Sequence, residues 1–350
     1  MNDIGARKDD HLSLCATGEV GFRRTTTLLE EVSLVHDALP ELGLGDIDLR
    51  CSLLGKQLQA PVLISAMTGG TERGGAINRD LAAVAEALGV GFALGSQRPM
   101  LEDRSLSPTY SVREVAPTTL VVGNLGLWQA RGRSSEEIAQ LVSDVGADAL
   151  AVHLNTAQEL VQPGGDRDFK GGSEVLAGLT STLPFPVVVK ETGCGLGPAT
   201  ATRLRDAGVA HVDVAGAGGT SWIAVELQRT TDPSELSLGE QLRDWGVPTA
   251  AATVFGVRER FSTVIASGGV ASGLDAARAI ALGATAVGIA RPVLRAYWED
   301  GPEGARRYLD GVIAGLRAAM LLTGSATLED LRTAPRVIGP TLERWLTHTG

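Results

Sequence analysis

Lys190 closes the apolar run "PVVVKETG". Burying an ammonium group without a partner is costly, so a ligand-facing role is the stronger reading of this lysine. Other apolar runs end in residues of similar promise. They are Ser65-Ala66-Met67-Thr68-Gly69-Gly70, Gly95-Ser96-Gln97-Arg98, Gly123-Asn124, His153-Leu154-Asn155, Gly218-Gly219-Thr220, Gly268-Gly269-Val270 and Ala290-Arg291. Amides, hydroxyls, one lysine and glycine-rich turns converge if these runs are neighbouring strands. That mixture suits a flat heteroaromatic ring carrying a phosphate. Asn and Ser can bond ring carbonyls and nitrogens, a lysine can stabilise negative charge on a reduced ring, and glycine turns can hold the phosphate. Flavin mononucleotide (FMN) is such a ligand.

The elements that must position these residues follow from periodicity. In "VIASGGVASGLDAARAIALGATAVGIARPVL" a short apolar run meets two glycines, then a helical pattern over 272–282, then a second apolar run. Backbone N–H groups at such a turn and a helix N-terminus both favour an anion. An ordinary strand-helix-strand unit without a ligand is the plainer alternative. Eight apolar runs of this kind alternate with helical patterns such as "INRDLAAVAEALG" and "SSEEIAQLVSDVG". Alternation of β and α argues for a parallel sheet. Eight units, with polar residues at the C-terminal end of nearly every strand, predict a closed (β/α)8 TIM barrel rather than an open doubly wound sheet. The expected organisation is a single domain over 1–350: an N-terminal extension over 1–60, barrel strands and helices over 61–294, and C-terminal helices over 295–350. "RTTDPSELSLGEQLRDWG" after the sixth strand reads as a helical insertion or lid.

Composition narrows the class. The chain has 350 residues and a formal net charge of −10, which argues against broad nucleic-acid binding. No apolar run approaches the length of a membrane span, and the N-terminal stretch lacks a signal-peptide core, so a cytoplasmic protein is expected. Three cysteines do not make a disulfide framework, and no Cys/His cluster has zinc spacing.

"RKDDHL", "SAMTGG", "GSQR", "HLNTAQELVQPGGDRDF", "VVVKETGCG", "GAGGTSW" and "ASGGVASGLDAARAIALGA" follow one another from Arg7 to Arg291. In that order they resemble the type 2 isopentenyl-diphosphate delta-isomerases, a flavin-dependent TIM-barrel family. The ASGG segment alone is shared with other FMN barrels. The resemblance implies interconversion of isopentenyl and dimethylallyl diphosphate with reduced FMN, NADPH or NADH as reductant, and Mg²⁺. It also implies a homo-oligomer of four or eight chains acting on a small isoprenoid diphosphate, with no nucleic acid and no membrane. The chemistry is coherent: protonating the alkene first creates a tertiary cation whose neighbouring C–H is acidic, and an electron-rich ring beside it stabilises that charge.

The resemblance assigns residues, each with a plainer alternative. Arg7, Lys8, Ser96, Gln97 and Arg98 become the diphosphate clamp, where the first two would otherwise be a solvated cluster. His11 either joins them or packs the leader. His153, ordinarily a satisfied strand histidine, takes a catalytic role beside Asn155, which contacts substrate. Gln158 touches substrate as a further catalytic residue and Glu159 holds Mg²⁺, where both would otherwise begin a solvated helix. Lys190 serves the flavin and the reaction. Ala66, Met67, Thr68, Ser96, Asn124, Thr220, Gly268, Gly269, Val270, Ala290 and Arg291 become FMN contacts, although the glycines also answer to turn chemistry. Trp222 walls the ring or caps a helix, and Cys194 is read as a small packing residue. Two other functions compete: an FMN-dependent oxidoreductase on the same barrel, and a non-catalytic flavin-binding or assembly protein. Hydroxy-acid oxidases of this fold carry a His-Gly-Gly-Arg run after the sixth strand; here the place reads Gly218 to Trp222, without histidine.

Overall fold

The computed structural model describes residues 4–348, with side chains from Arg7 onward; the ends of the expected 1–350 domain, 1–3 and 349–350, lie outside the described residues. Eight parallel strands form a closed barrel. They are β1 (Val62–Ile64), β2 (Gly91–Ala93), β3 (Val121–Gly126), β4 (Ala149–Leu154), β5 (Val187–Glu191), β6 (His211–Asp213), β7 (Thr263–Ser267) and β8 (Ala286–Ile289). β8 closes on β1 through the register Val287↔Val62. Each strand coincides with an apolar run expected from the sequence, β7 starting one residue earlier at Thr263 and several others being shorter. β6 is assigned only to Asp213, although Val214 N and Gly216 N still donate to Ile265 O and Ser267 O of β7.

A period of two along each strand sorts the side chains. Leu63, Val122, Ala151, Val188, Ile265 and Ala286 fill the barrel interior. A two-stranded hairpin, Cys51–Leu53 with Lys56–Leu58, brings Leu53, Leu54 and Leu58 against this cluster. Two residues further along the same strands stand Ser65, Asn124, His153, Lys190, Ser267 and Gly288. The alternation that buries Val188 therefore also aims Lys190 inward, one layer nearer the C-terminal face.

Helices surround the strands: α1 (Ile4–Thr17), α2 (Glu72–Leu88), α3 (Thr156–Val161), α4 (Trp222–Leu227), α5 (Pro233–Leu242), α6 (Gly273–Ala281) and α7 (Arg291–Leu321), the last kinked at Asp300–Gly301. α1 was expected only as a polar leader. It is a helix whose buried side is Leu12, Cys15 and Ala16. The carbonyls at its C-terminal end lack helical partners, and α7 supplies them. Arg291 Nε donates to Cys15 O at 3.0 Å and Arg295 Nε to Ala16 O at 3.1 Å. This docking brings Arg7, Lys8 and His11 to the C-terminal mouth of the barrel. The extension is tied down again where Val32–Leu34 pairs antiparallel with Arg336–Ile338. The insertion after β6 contains α5, N-capped by Asp232, whose side chain accepts from Ser234 N and Glu235 N.

Candidate active site

Two adjoining cavities, of about 160 Å³ and about 450 Å³, open at the C-terminal face and share His11, Ala66, Met67, Lys190, Thr192 and Trp222 in their walls. Together they have the size of a ligand site. The smaller is the more highly charged. Arg7, Lys8 and Arg98 line it together with Ser96, Asn155, Gln158 and Glu159. Burial, then the Arg98 guanidinium, lower the pKa of Arg7 against the opposing charges of Glu226 and Glu159, so two cations act on one another across this cavity. That is an arrangement an anion relieves.

Lys8 is held differently from a free clamp residue. Its ammonium donates to Gly69 O at 2.5 Å, Ser96 O at 2.8 Å and Tyr110 Oη at 2.7 Å, which occupies all its donors. Burial, then the neighbouring Arg7, lowers its pKa to about 7. Lys8 thus ties α1 to the loops after β1 and β2 as well as lining the cavity. Gln97 corrects the expected clamp. It is 0% exposed and lines neither cavity. Its Oε1 accepts from Asn124 N at 2.9 Å and its Nε2 donates to Leu141 O at 3.0 Å. The side chain turns into the packing behind β3 because those backbone groups need partners there.

At the base of the smaller cavity, His153 Nδ1 and Asn124 Oδ1 are 2.8 Å apart. Asn124 accepts, so Nδ1 carries the proton and Nε2 is the ring's acceptor. Burial, then the charges of Lys190 and Lys8, push the imidazole pKa down to about 3. His153 is therefore neutral at physiological pH. On α3 and the residue before it, Asn155 Nδ2 donates to Glu159 Oε1 at 2.8 Å, and Asp166 N donates to Glu159 Oε2 at 2.9 Å. Gln158 Nε2 donates to Glu226 Oε1 at 2.9 Å.

Glu226 on α4 was not singled out from the sequence. It is 0% exposed and gathers three partners: Gln158, His11 Nε2 at 3.1 Å and Arg229 Nη1 at 2.9 Å. Burial alone would raise its pKa, but the hydrogen bonds from His11 and Gln158 and the Arg229 charge outweigh it and lower it. One carboxylate in the apolar stretch "WIAVEL" was the available signal. Gln129 and Gln162 also line the smaller cavity and carried no such signal. Trp222 both begins α4 and walls the two cavities, with its ring edge-on to His11 at 5.2 Å.

The larger cavity is lined by Gly193, Thr220, Ser267, Gly268, Gly269, Val270, Ala290 and Arg291. Gly268 and Gly269 have φ of +94° and +82°, and a Cβ at Gly268 would overlap Gly216 O. The chain's own backbone therefore requires these glycines. The helix that follows, α6, is already capped: Ser272 Oγ accepts from Asp275 N at 3.1 Å, and the Asp275 carboxylate accepts from Ala271 N at 3.2 Å. The N–H groups of Ala271 and Asp275 are thereby occupied, whereas Ala290 gives the start of α7 no side-chain cap. Arg291 directs two guanidinium nitrogens to the backbone of α1 and Gly18, so only part of it remains for a ligand.

Three buried polar atoms on the cavity walls have no partner among the described residues: Ser65 Oγ, Thr68 Oγ1 and Asn155 Oδ1. Orphaned buried groups of this kind ask for a ligand. Their placement, with Lys190 between the two cavities and the open start of α7 beyond, fits a phosphate-bearing ring and a second, anionic molecule. Among the described residues no group of three or more His, Cys, Asp or Glu could hold a metal unaided. No helix among them is long and apolar enough to cross a membrane.

Known proteins agree with this geometry. A family model of FMN-dependent dehydrogenases matches residues 167–337. Among solved structures, a mandelate oxidase with (S)-mandelic acid superposes with a TM-score of 0.65 at 19% identity, covering 95% of this chain and 98% of that one. At that identity the likeness concerns the fold. Whole-chain relatives are much nearer. The isopentenyl-diphosphate delta-isomerase of Methanothermobacter thermautotrophicus is 45% identical, over 99% of this chain and 97% of its own. That of Synechococcus sp. is 46% identical over 97% of each chain. With such identity along nearly the full length of both sequences, this chain belongs to the isopentenyl-diphosphate delta-isomerase family.

Proposed function

We propose that this enzyme interconverts isopentenyl and dimethylallyl diphosphate by proton transfer without net redox change. Reduced FMN would occupy the larger cavity; the diphosphate, with Mg²⁺, would occupy the smaller. The observation that carries this reading is the shared wall: Met67, Lys190 and Trp222 border both cavities, so a ring in one lies against a hydrocarbon tail in the other. FMN, once reduced by NADPH or NADH, supplies an electron-rich ring that stabilises an adjacent cation and can exchange a proton.

The chain's residues supply the remainder. Arg7 and Arg98 bind the diphosphate oxygens by charge-assisted hydrogen bonds. Glu159, oriented by Asn155, offers Mg²⁺ one carboxylate, and diphosphate and water complete an octahedron, the usual economy of Mg²⁺ sites. Lys190 sets positive charge against the ring. Neutral His153 presents Nε2 as an acceptor, and Gln158 is fixed by Glu226. Ser65 holds a polar edge of the ring in the larger cavity, Thr68 and Asn124 meet the part of the ring that reaches past Lys190 towards the smaller one, and the Gly268–Val270 turn with the start of α7 receives the phosphate. Met67 and Trp222 exclude water from the reacting carbon atoms. The oxidoreductase alternative lacks a histidine between Gly218 and Trp222. A cytoplasmic location, expected from the sequence, and a homo-oligomer, implied by the family resemblance, complete the proposal.

The test is isotopic. With FMN-loaded, reduced enzyme in deuterated water, label should enter the methyl group formed at the terminal alkene carbon of isopentenyl diphosphate. Product free of deuterium at that methyl would refute proton transfer from an exchangeable site.

A further inference from the structure

Asp213 ends β6 at 2% exposure, inside the barrel rather than on its rim. None of the roles assigned above uses it. Its Oδ1 accepts from Ser267 Oγ and from Ala215 N, so the side chain is held in one orientation. Register places it directly beside Lys190 on the neighbouring strand, and paired residues of adjacent strands point to the same face. No cation lies within ion-pair distance of Asp213 among the described residues, and the charge that acts on it is that of Lys190. Lys190 Nζ itself donates to Glu191 O at 2.6 Å, a neutral carbonyl.

We propose that Asp213 is a positioning residue for the reaction: the buried counter-charge that keeps Lys190 protonated and directed between the two cavities. This rests on the reading of the larger cavity as an FMN site. Two like-charged or uncharged neighbours make a counter-charge necessary. His153 on β4 is neutral, and Lys8 on α1 adds positive charge across the smaller cavity. His11 on α1 lies against Glu226, and Arg291 on α7 is turned to the α1 backbone. Glu191, next in sequence, turns its carboxylate away to accept from Thr192 N and Cys194 N, both at 2.6 Å. Asp213 is thus the carboxylate on Lys190's own face of the barrel wall. Burial is the largest influence and raises the Asp213 pKa, while Lys190 and the hydrogen bonds from Ser267 and Ala215 act to keep the carboxylate ionised. The direction is reciprocal: a carboxylate favours the charged form of a neighbouring lysine, and its removal lets the lysine lose its proton at lower pH.

Two measurements test this. The first needs no flavin: unfolding midpoints of flavin-free wild type, Lys190→Met, Asp213→Asn and the double variant. If the groups compensate one another, the double variant loses less than the sum of the single losses. Strict additivity would overturn the proposal. The second is the midpoint potential of bound FMN as a function of pH. Loss of the Lys190 proton should make the potential fall more steeply, and in Asp213→Asn this break should lie about one pH unit lower, a tenfold weaker hold on the lysine proton. Asp213→Glu should restore it towards the wild-type position. Ser267→Ala, which frees the carboxylate, should move it in the same direction by less, and provides the reading should Asp213→Asn not fold. A break that stays in place in Asp213→Asn with FMN bound contradicts the proposal. Failure of the wild type to take up FMN, read from its absorbance, would remove the flavin site but leave the lysine-carboxylate pair to be judged on the unfolding cycle.

Discussion

Gln158 and Glu226 stand 2.9 Å apart, amide to carboxylate, across the gap between α3 and α4. Gln158 faces the smaller cavity, while Glu226 lies behind it and also holds His11 and Arg229. A cavity residue, the leader helix and α4 are therefore joined at one buried carboxylate. Glu226→Gln preserves shape but removes the charge that three neighbours, Gln158, His11 and Arg229, share. We expect about 1–3 kcal/mol of lost stability, the range for a buried hydrogen-bonding group left poorly matched, together with reduced turnover. Denaturant unfolding and isomerase assays on one preparation measure both. A variant with unchanged stability and rate would show that the junction is incidental.

His153 predicts a pH dependence. Its folded pKa, about 3, lies below the ordinary histidine value of 6.5. Between these values the unfolded chain binds a proton that the folded chain does not. Its contribution to stability is thus complete above pH 6.5 and declines as pH falls towards 3, by at most about 1.4 kcal/mol per pH unit. The difference between wild type and His153→Gln in unfolding free energy should shrink as pH drops through this window. A difference independent of pH would mean that the imidazole is not held neutral.

Arg98 should act on the substrate alone. It lines the smaller cavity and its nearest acid is Glu102, at 3.6 Å on the helix surface. Arg98→Ala removes a charge-assisted contact worth about 1.5–3 kcal/mol, or roughly ten- to a hundredfold in KM, and should leave FMN content unchanged. Loss of flavin in this variant would mean that the two cavities have been assigned the wrong occupants.

Gly268→Ala tests the turn itself. With φ at +94° and Gly216 O in the space a Cβ would take, the substitution strains the backbone even without a ligand. The left-handed conformation alone costs about 1–2 kcal/mol. Flavin-free protein should already unfold more readily, and its FMN affinity should fall. Normal stability with lost affinity would instead make the glycine purely a ligand requirement.

The barrel was legible because its signals are local and repeated. Apolar runs such as "TLVVGNLG" and "ALAVHLN" alternate with helical patterns, and Asn124, His153 and Lys190 share the phase of inward-facing residues. What escaped depends on contacts distant in sequence. α1 is polar along much of its length and is anchored by Arg291 and Arg295, nearly three hundred residues away. Glu226 gains its role only from His11 and Gln158. Gln97 looked like its neighbours Ser96 and Arg98, but it lies beyond the end of β2, where strand alternation no longer says which way a side chain points. The capping of α6 by Ser272 and Asp275 could have been read from the Ser-x-x-Asp spacing.

Whether the flavin serves proton transfer rather than net electron transfer is decided by a stoichiometry. Nicotinamide oxidised and dimethylallyl diphosphate formed are counted together, anaerobically, with FMN and Mg²⁺ present. Proton transfer gives many products per NADPH consumed, and conversion continues when dithionite replaces the nicotinamide altogether. One NADPH oxidised for each product formed would contradict it and return the enzyme to the oxidoreductases of the same fold.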